Sequence, residues 1–135
     1  MCSKVYIFDL DNTLYLREVD PDYKIIYEYE LIIFLNNLKK NNKILAIASH
    51  NTIPRYYLEK INICNYFDYI IGEYPRSKYC MIEEILKNIK IDKCITKNDV
   101  IFFDDLNSNI KNCQENGIKS IKVDPKKGIE FQKYI

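Results

Sequence analysis

Histidine occurs once in this sequence, at His50, and the five cysteines, Cys2, Cys64, Cys80, Cys94 and Cys113, show no Cys-x-x-Cys spacing. Without clustered imidazole and thiolate ligands, a zinc site is not expected. An odd cysteine count with no secretion signal fits a reducing compartment, where thiols pack as small apolar groups. Met1-Cys2-Ser3-Lys4 leads straight into an apolar stretch, leaving no room for a signal peptide. No apolar run approaches the ~20 residues of a membrane span. The expectation is a cytoplasmic protein with no membrane contact. Neither sign of charge dominates, with 20 basic residues against 19 acidic, so no global field draws the chain to nucleic acid or membrane. Glycine is limited to three residues and tryptophan is absent. No Gly-x-Ser-x-Gly elbow surrounds any serine, so Ser49-His50 does not read as a serine hydrolase pair. The 12 tyrosines sit mostly beside Ile and Phe, which suits packing better than stacking on bases. Repeats and low-complexity linkers are also missing, and 135 residues make one domain, 1–135, large enough to bury a core.

What is present is a succession of apolar runs. Val5 to Phe8 reads as a buried strand, and Ile44 to Ala48 as another without polar alternation, as parallel strands covered on both faces require. Phe67–Gly72, Asp99–Asp105 and Ile118–Val123 read as further strands. Between them, Ile25–Lys40 carries Ile26, Leu31, Ile32, Phe34, Leu35 and Leu38 near helical spacing and ends in Lys39-Lys40, which suits the dipole at a helix C-terminus. A helix from Pro54 to Ile61 has Asn51 or Thr52 as its expected cap and proline in its first turn. Tyr79–Ile89 and Leu106–Asn116 read as helices, the second stopped by Gly117, and a short helix or tail runs from Gly128 to Ile135. Strand alternating with helix implies an α/β fold with a parallel sheet and right-handed crossovers. Ligands of such sheets bind beyond the carboxyl ends of the strands.

Two of these strands end in acids, the first at Asp9 and Asp11 and the fourth at Asp104 and Asp105. Burying one unpaired carboxylate costs several kcal/mol or forces it to take a proton. Acids so placed call for a cation or a reaction, unless Asp9-Leu10-Asp11-Asn12 merely closes an Asx turn. Hard oxygen ligands are what Mg²⁺ demands. Ser49 closes the second strand, where its bland role is a helix cap. Lys78 precedes the third helix, with Arg76 as a neighbouring rival for any role beside the acids.

Val5-Tyr6-Ile7-Phe8-Asp9-Leu10-Asp11-Asn12-Thr13-Leu14 resembles the first motif of the haloacid dehalogenase superfamily, four apolar residues followed by Asp-x-Asp-x-Thr. Ser49, Lys78 and Phe102-Phe103-Asp104-Asp105-Leu106-Asn107-Ser108-Asn109 resemble the later three motifs, in order. The resemblance implies a three-layer Rossmann-like fold whose central parallel sheet has about five strands in the order 5-4-1-2-3, bringing Asp9, Ser49 and Asp104 together. It further implies a Mg²⁺-dependent phosphomonoester hydrolase. Asp9 would become an aspartyl phosphate, and Asp11 would protonate the leaving oxygen and then deprotonate water. Lys78 would pair with Asp9 and the phosphoryl group, while Ser49, Asn51 and nearby amides would hold phosphoryl oxygens. Asp9, Asp104 and the backbone carbonyl of Asp11 would hold the ion. Thr13 would orient Asp11 or steady its loop, and Asp105 would act through a metal-bound water or fix Lys78. Asn109 stands where many members carry a further acid.

The segments between these motifs are too short for a cap domain, and Arg17–Asp22 lies where the family carries a turn and a flap. An uncapped site would admit a phosphorylated macromolecule as readily as a small molecule, or be roofed by a neighbouring subunit of a homo-oligomer. The resemblance is closest to the small capless magnesium-dependent phosphatases, which implies a phosphotyrosine-like or sugar-phosphate substrate. The alternatives are a nucleic-acid end phosphatase or nucleotidase, and a non-catalytic phosphate- or metal-binding module. Arg17, Asn51, Arg55 and Arg76 are candidate substrate contacts, and His50 a substrate-side or solvent-facing residue.

Overall fold

β1 (Val5–Phe8), β2 (Ile44–Ser49), β3 (Tyr69–Gly72), β4 (Val100–Asp104) and β5 (Lys119–Lys122) form one sheet in the order β3-β2-β1-β4-β5, all pairs parallel. This is the expected order, read from the other edge. The computed structural model describes residues 3–14, 28–89 and 94–134. The segment around Arg17 and the first residues of the expected helix at Ile25 lie outside the described residues. α1 (Glu28–Lys40) and α2 (Pro54–Lys60) cover one face of the sheet, α3 (Lys78–Ile89) and α4 (Asn107–Glu115) the other. Among the described residues, none builds a cap over the carboxyl ends of the strands, and no helix is long and apolar enough to cross a membrane.

Alternation along the strands explains why both faces fill. Tyr6, Phe8, Leu45, Ile47, Ile101 and Phe103 pack with Phe34 and Leu35 of α1 and Leu58 of α2. Val5, Ile7, Ala46, Ala48, Val100 and Phe102 pack with Met81, Ile82 and Ile85 of α3 and Cys113 of α4. Successive side chains of a strand point to opposite faces, so an unbroken apolar run fits a sheet with helices on both sides. A 3₁₀ turn at Phe131–Tyr134, where a short helix or tail is expected, docks on the α1 side. There Phe131 meets Phe34 at 5.1 Å between ring centroids and Tyr134 meets Phe103 at 5.1 Å.

Three local departures from the sequence reading have physical causes. β3 starts at Tyr69 rather than Phe67, because the Asp68 carboxylate accepts the Leu45 N–H at 2.9 Å where a strand would offer its own carbonyl. The N-cap of α2 is Ile53, with no side-chain cap bond; neither Asn51 nor Thr52 caps the helix. Instead Asn51 Oδ1 accepts the Ile53 N–H at 3.0 Å, an Asx turn one step earlier. Lys78 is the first residue of α3 and does not merely precede it.

Gly72 closes β3 opposite Ser49 in register. A Cβ there would lie 2.2 Å from the Asn51 carbonyl oxygen and 2.4 Å from Pro54 Cδ, so the loop after β2 can pack down only on a glycine. Gly72→Ala is expected to lower stability by about 2 kcal/mol, read as a lower midpoint in chemical denaturation. A midpoint equal to that of the parent chain would show that the loop after β2 yields freely.

Candidate active site

The site begins with two aromatic residues. Phe8 and Phe103 are register partners on β1 and β4, and their rings stack with centroids 5.1 Å apart. The next residue on each strand is an acid, so the stack fixes Asp9 and Asp104 side by side. The ladder continues one step past β1, with the Asp9 N–H donating to the Phe103 carbonyl at 2.8 Å. Lys78 reaches both acids from the first turn of α3. Its Nζ donates to Asp9 Oδ1 at 2.8 Å, Asp104 Oδ2 at 3.0 Å and the Ala48 carbonyl at 2.7 Å. An ammonium has three protons, and each has an acceptor. Lys78, Asp9 and Asp104 are all buried.

Asp9, Asp104 and half-buried Asp105 each offer a carboxylate oxygen within 4.8 Å of the others. Among the described residues, three acids therefore face one ammonium. Burial pushes the Asp9 carboxyl well above its ordinary pKa; the Asp104 charge adds to that, and Lys78 opposes it without cancelling it. Burial likewise raises Asp105, in spite of its hydrogen bond with Asp9. For Lys78 burial acts downward, yet the charges of Asp9 and Asp104 prevail and raise its pKa, so it stays an ammonium. Such a cluster has too little positive charge, and its donors are all hard oxygens, which suits a divalent cation such as Mg²⁺. Cys113 lies buried nearby, its thiol pushed up to about 12 by burial first and by Asp104 second, and is inert as a nucleophile.

The supporting residues differ in detail from expectation. Thr13 Oγ1 donates to Asp9 Oδ2 at 3.3 Å, so it orients Asp9 rather than Asp11. Asp105 does not fix Lys78, whose protons are already taken. Asn109 Nδ2 donates to Asp104 Oδ2 at 3.1 Å and the Leu106 N–H to Asp104 Oδ1 at 2.9 Å, which locks that carboxylate's orientation. An acid at 109 would repel it. Asp11 adds no carboxylate oxygen to the cluster among the described residues; the contribution expected of it was its carbonyl. Ser49 is buried, and its Oγ accepts the Asn51 N–H at 2.9 Å, which uses a lone pair and leaves the O–H to donate.

Two of the candidate substrate contacts, Arg76 and Arg55, are engaged elsewhere. Arg76 pairs with Glu73 at 3.0 Å and Glu84 at 2.9 Å, which settles its rivalry with Lys78. Arg55 turns towards the Cys64 sulfur at 3.7 Å. Arg17 lies outside the described residues.

The model of the haloacid dehalogenase-like hydrolase family matches residues 17–123. The chain belongs to this family. The matched span holds Ser49, Lys78 and Asp104, and Asp9 and Asp11 lie just ahead of it; the pairing of β1 with β2 and β4 joins the two parts. Comparison with curated proteins finds no match. Among solved structures, a Clostridium difficile protein described as a candidate phosphatase shares 21% identity at a TM-score of 0.76, covering 96% of this chain and 89% of that one. The N-terminal part of a Bacteroides fragilis protein, containing a phosphatase domain complexed with Mg, shares 19% at 0.76, covering 98% of this chain and 40% of that one. The 3-deoxy-D-manno-octulosonate 8-phosphate phosphatase of Moraxella catarrhalis, complexed with magnesium, phosphate and a KDO molecule, shares 18% at 0.63, covering 95% and 70%. At these identities the likeness establishes the fold.

Several parts of this haloacid dehalogenase-like site escaped the sequence reading. The Ala48 carbonyl is a backbone acceptor and has no residue-type signature. His50 ties two loops together, its Nε2 lying 2.6 Å from the Arg76 carbonyl and its ring meeting Tyr74 edge-on at 5.7 Å. The ring nitrogen facing that carbonyl must carry the proton. Gly72 was legible only as a glycine at a strand end, a common occurrence.

Proposed function

We propose that this hydrolase is a phosphomonoesterase working through Asp9. The observation that carries the reading is the buried Lys78 ammonium bridging Asp9 and Asp104, with Asp105 beside them. An oxygen of Asp9 attacks phosphorus, and the ester P–O bond breaks as the Asp9 acyl phosphate forms. Asp11 gives its proton to the leaving oxygen. The Asp11 carboxylate then takes a proton from water, whose oxygen attacks phosphorus and releases inorganic phosphate and free Asp9. Lys78 holds Asp9 in place and balances charge on the transferring group, and the Ser49 hydroxyl and the Asn51 amide would donate to phosphoryl oxygens. Asp9, Asp104 and Asp105, with the Asp11 carbonyl, are the groups that would hold Mg²⁺. When bound, the ion supplies the positive charge that the cluster lacks and that phosphoryl oxygens need. The Bacteroides and Moraxella structures, each named with magnesium, support the choice of ion.

Hydrolysis of para-nitrophenyl phosphate tests the reading. Activity should require Mg²⁺, fall at least about 100-fold on chelation and return on re-addition, with a phosphorylated Asp9 recovered after acid quench. Turnover indifferent to chelator, with no phosphoenzyme, would overturn it.

A further inference from the structure

Six large apolar side chains are exposed among the described residues, and three of them stand on the loops that carry site residues: Ile53 at 55% exposure, Tyr74 at 72% and Leu106 at 50%. Single exposed apolar residues are ordinary; several around one opening mark a contact surface. Each is held close to the site by bonds described above. Ile53 is tied through its N–H to Asn51, which is itself tied to Ser49. Tyr74 follows Gly72, the register partner of Ser49, by two residues, and its ring meets that of His50. Leu106 is tied through its N–H to Asp104.

The direction of the reaction says what passes these side chains. In-line attack by Asp9 drives the leaving group away from the end of β1, outward past the loop tips. Among the described residues, the cations on these loops are already engaged, Arg76 by Glu73 and Glu84 and Lys78 by the acids below, and the His50 Nε2 is taken by a carbonyl. A polyanionic leaving group would find carboxylates and apolar surface on these loops.

We propose that Ile53, Tyr74 and Leu106 form a collar that selects monoesters whose leaving group is apolar, an aryl or bulky alkyl group with no charge beyond the phosphoryl. This rests on the phosphatase reading and adds a substrate class to it. The collar favours such groups because it is covered only when they are bound.

The test compares kcat/KM for 2-naphthyl phosphate and acetyl phosphate in Mg²⁺, for the full chain and for Ile53→Ser, Tyr74→Ser and Leu106→Ser. All three side chains are exposed, so folding is not at stake. Each variant should lose about fivefold to tenfold on naphthyl phosphate and stay within about twofold on acetyl phosphate, because changes in the chemical step cancel in the comparison. Acetyl phosphate turned over with no selective loss on naphthyl phosphate overturns the collar alone. A preference for a 3′-phosphorylated oligonucleotide over naphthyl phosphate also overturns it, as does a dimer that the serine variants dissolve, which would assign the patch to a second copy. Hydrolysis of neither small substrate overturns the phosphatase reading and the collar with it.

Discussion

Lys78→Met should abolish measurable turnover and remove about 3–5 kcal/mol of stability in the absence of divalent cations. Methionine has comparable length and no charge, so the packing beside Phe102 largely survives; the Lys78 Nζ lies 5.7 Å from that ring. What is lost is, among the described residues, the only cation bonded to Asp9 and Asp104, and the donor to the buried Ala48 carbonyl. Deleting one partner of a buried pair leaves the other charge with neither water nor a counterion, which is why such deletions exceed the net worth of the pair. Set against a typical total of about 5–15 kcal/mol, the expected loss is a large share. Two further readings separate charge from packing. Mg²⁺ should restore part of the lost stability, since it replaces the missing positive charge, and acid should shrink the difference as the carboxylates take protons. Lys78→Arg should rescue little, because a planar fork cannot place donors on Asp9, Asp104 and the Ala48 carbonyl at once. Denaturant unfolding with and without Mg²⁺ decides the matter; a metal-free midpoint matching the parent chain would show that the ammonium is not what holds the acids.

The sheet was legible because its central strands are unbroken apolar runs. β1, β2 and β4 are recognisable from Val5–Phe8, Ile44–Ala48 and Val100–Phe103, since only a strand covered on both faces accepts such composition. The edges were less so. β3 is shortened by a side chain, Asp68, that imitates the backbone, and a period-of-two reading does not see such substitutions. The cap of α2 was misplaced for a related reason: Asn51 and Thr52 are both good cap residues, and the choice of Asx turn over cap is made by Gly72 admitting the loop, a contact between chain segments far apart in sequence. The acids themselves were conspicuous, but their convergence followed from the family resemblance and not from spacing. Nothing in the composition says that Phe8 and Phe103 are register partners, and that pairing is what sets Asp9 beside Asp104. Backbone participants, the Ala48 carbonyl above all, are invisible to any reading of residue types.

Asp9→Asn should separate function from stability in opposite directions. Turnover should fall on the order of 10⁴-fold or more, because an amide oxygen cannot form the acyl phosphate. The metal-free fold, in contrast, should become more stable at neutral pH, by about 1–3 kcal/mol. Asparagine keeps the shape: its Oδ1 still accepts from Lys78, and its Nδ2 can donate to the Thr13 hydroxyl that now donates to Asp9 Oδ2. It removes one of the charges that a single ammonium cannot balance. The sign follows from the Asp9 carboxyl, held well above its ordinary value of 3.8 chiefly by burial. Between that value and the raised one the native state binds more protons than the unfolded chain, so metal-free stability falls as pH rises through the window. Asp105 is raised in the same sense and adds to the slope. Lys78, raised above 10.5, contributes fully below that pH and loses its contribution only above it, so it does not oppose the trend near neutrality. The variant should therefore match the parent chain near pH 4, exceed it by pH 7, and gain less from added Mg²⁺ because it has lost a ligand. Thermal midpoints across pH 4–8, with and without Mg²⁺, measure all three differences. A metal-free variant less stable than the parent at pH 7 would mean that the Asp9 charge is compensated within the fold, and that the cluster has no deficit for a cation to fill.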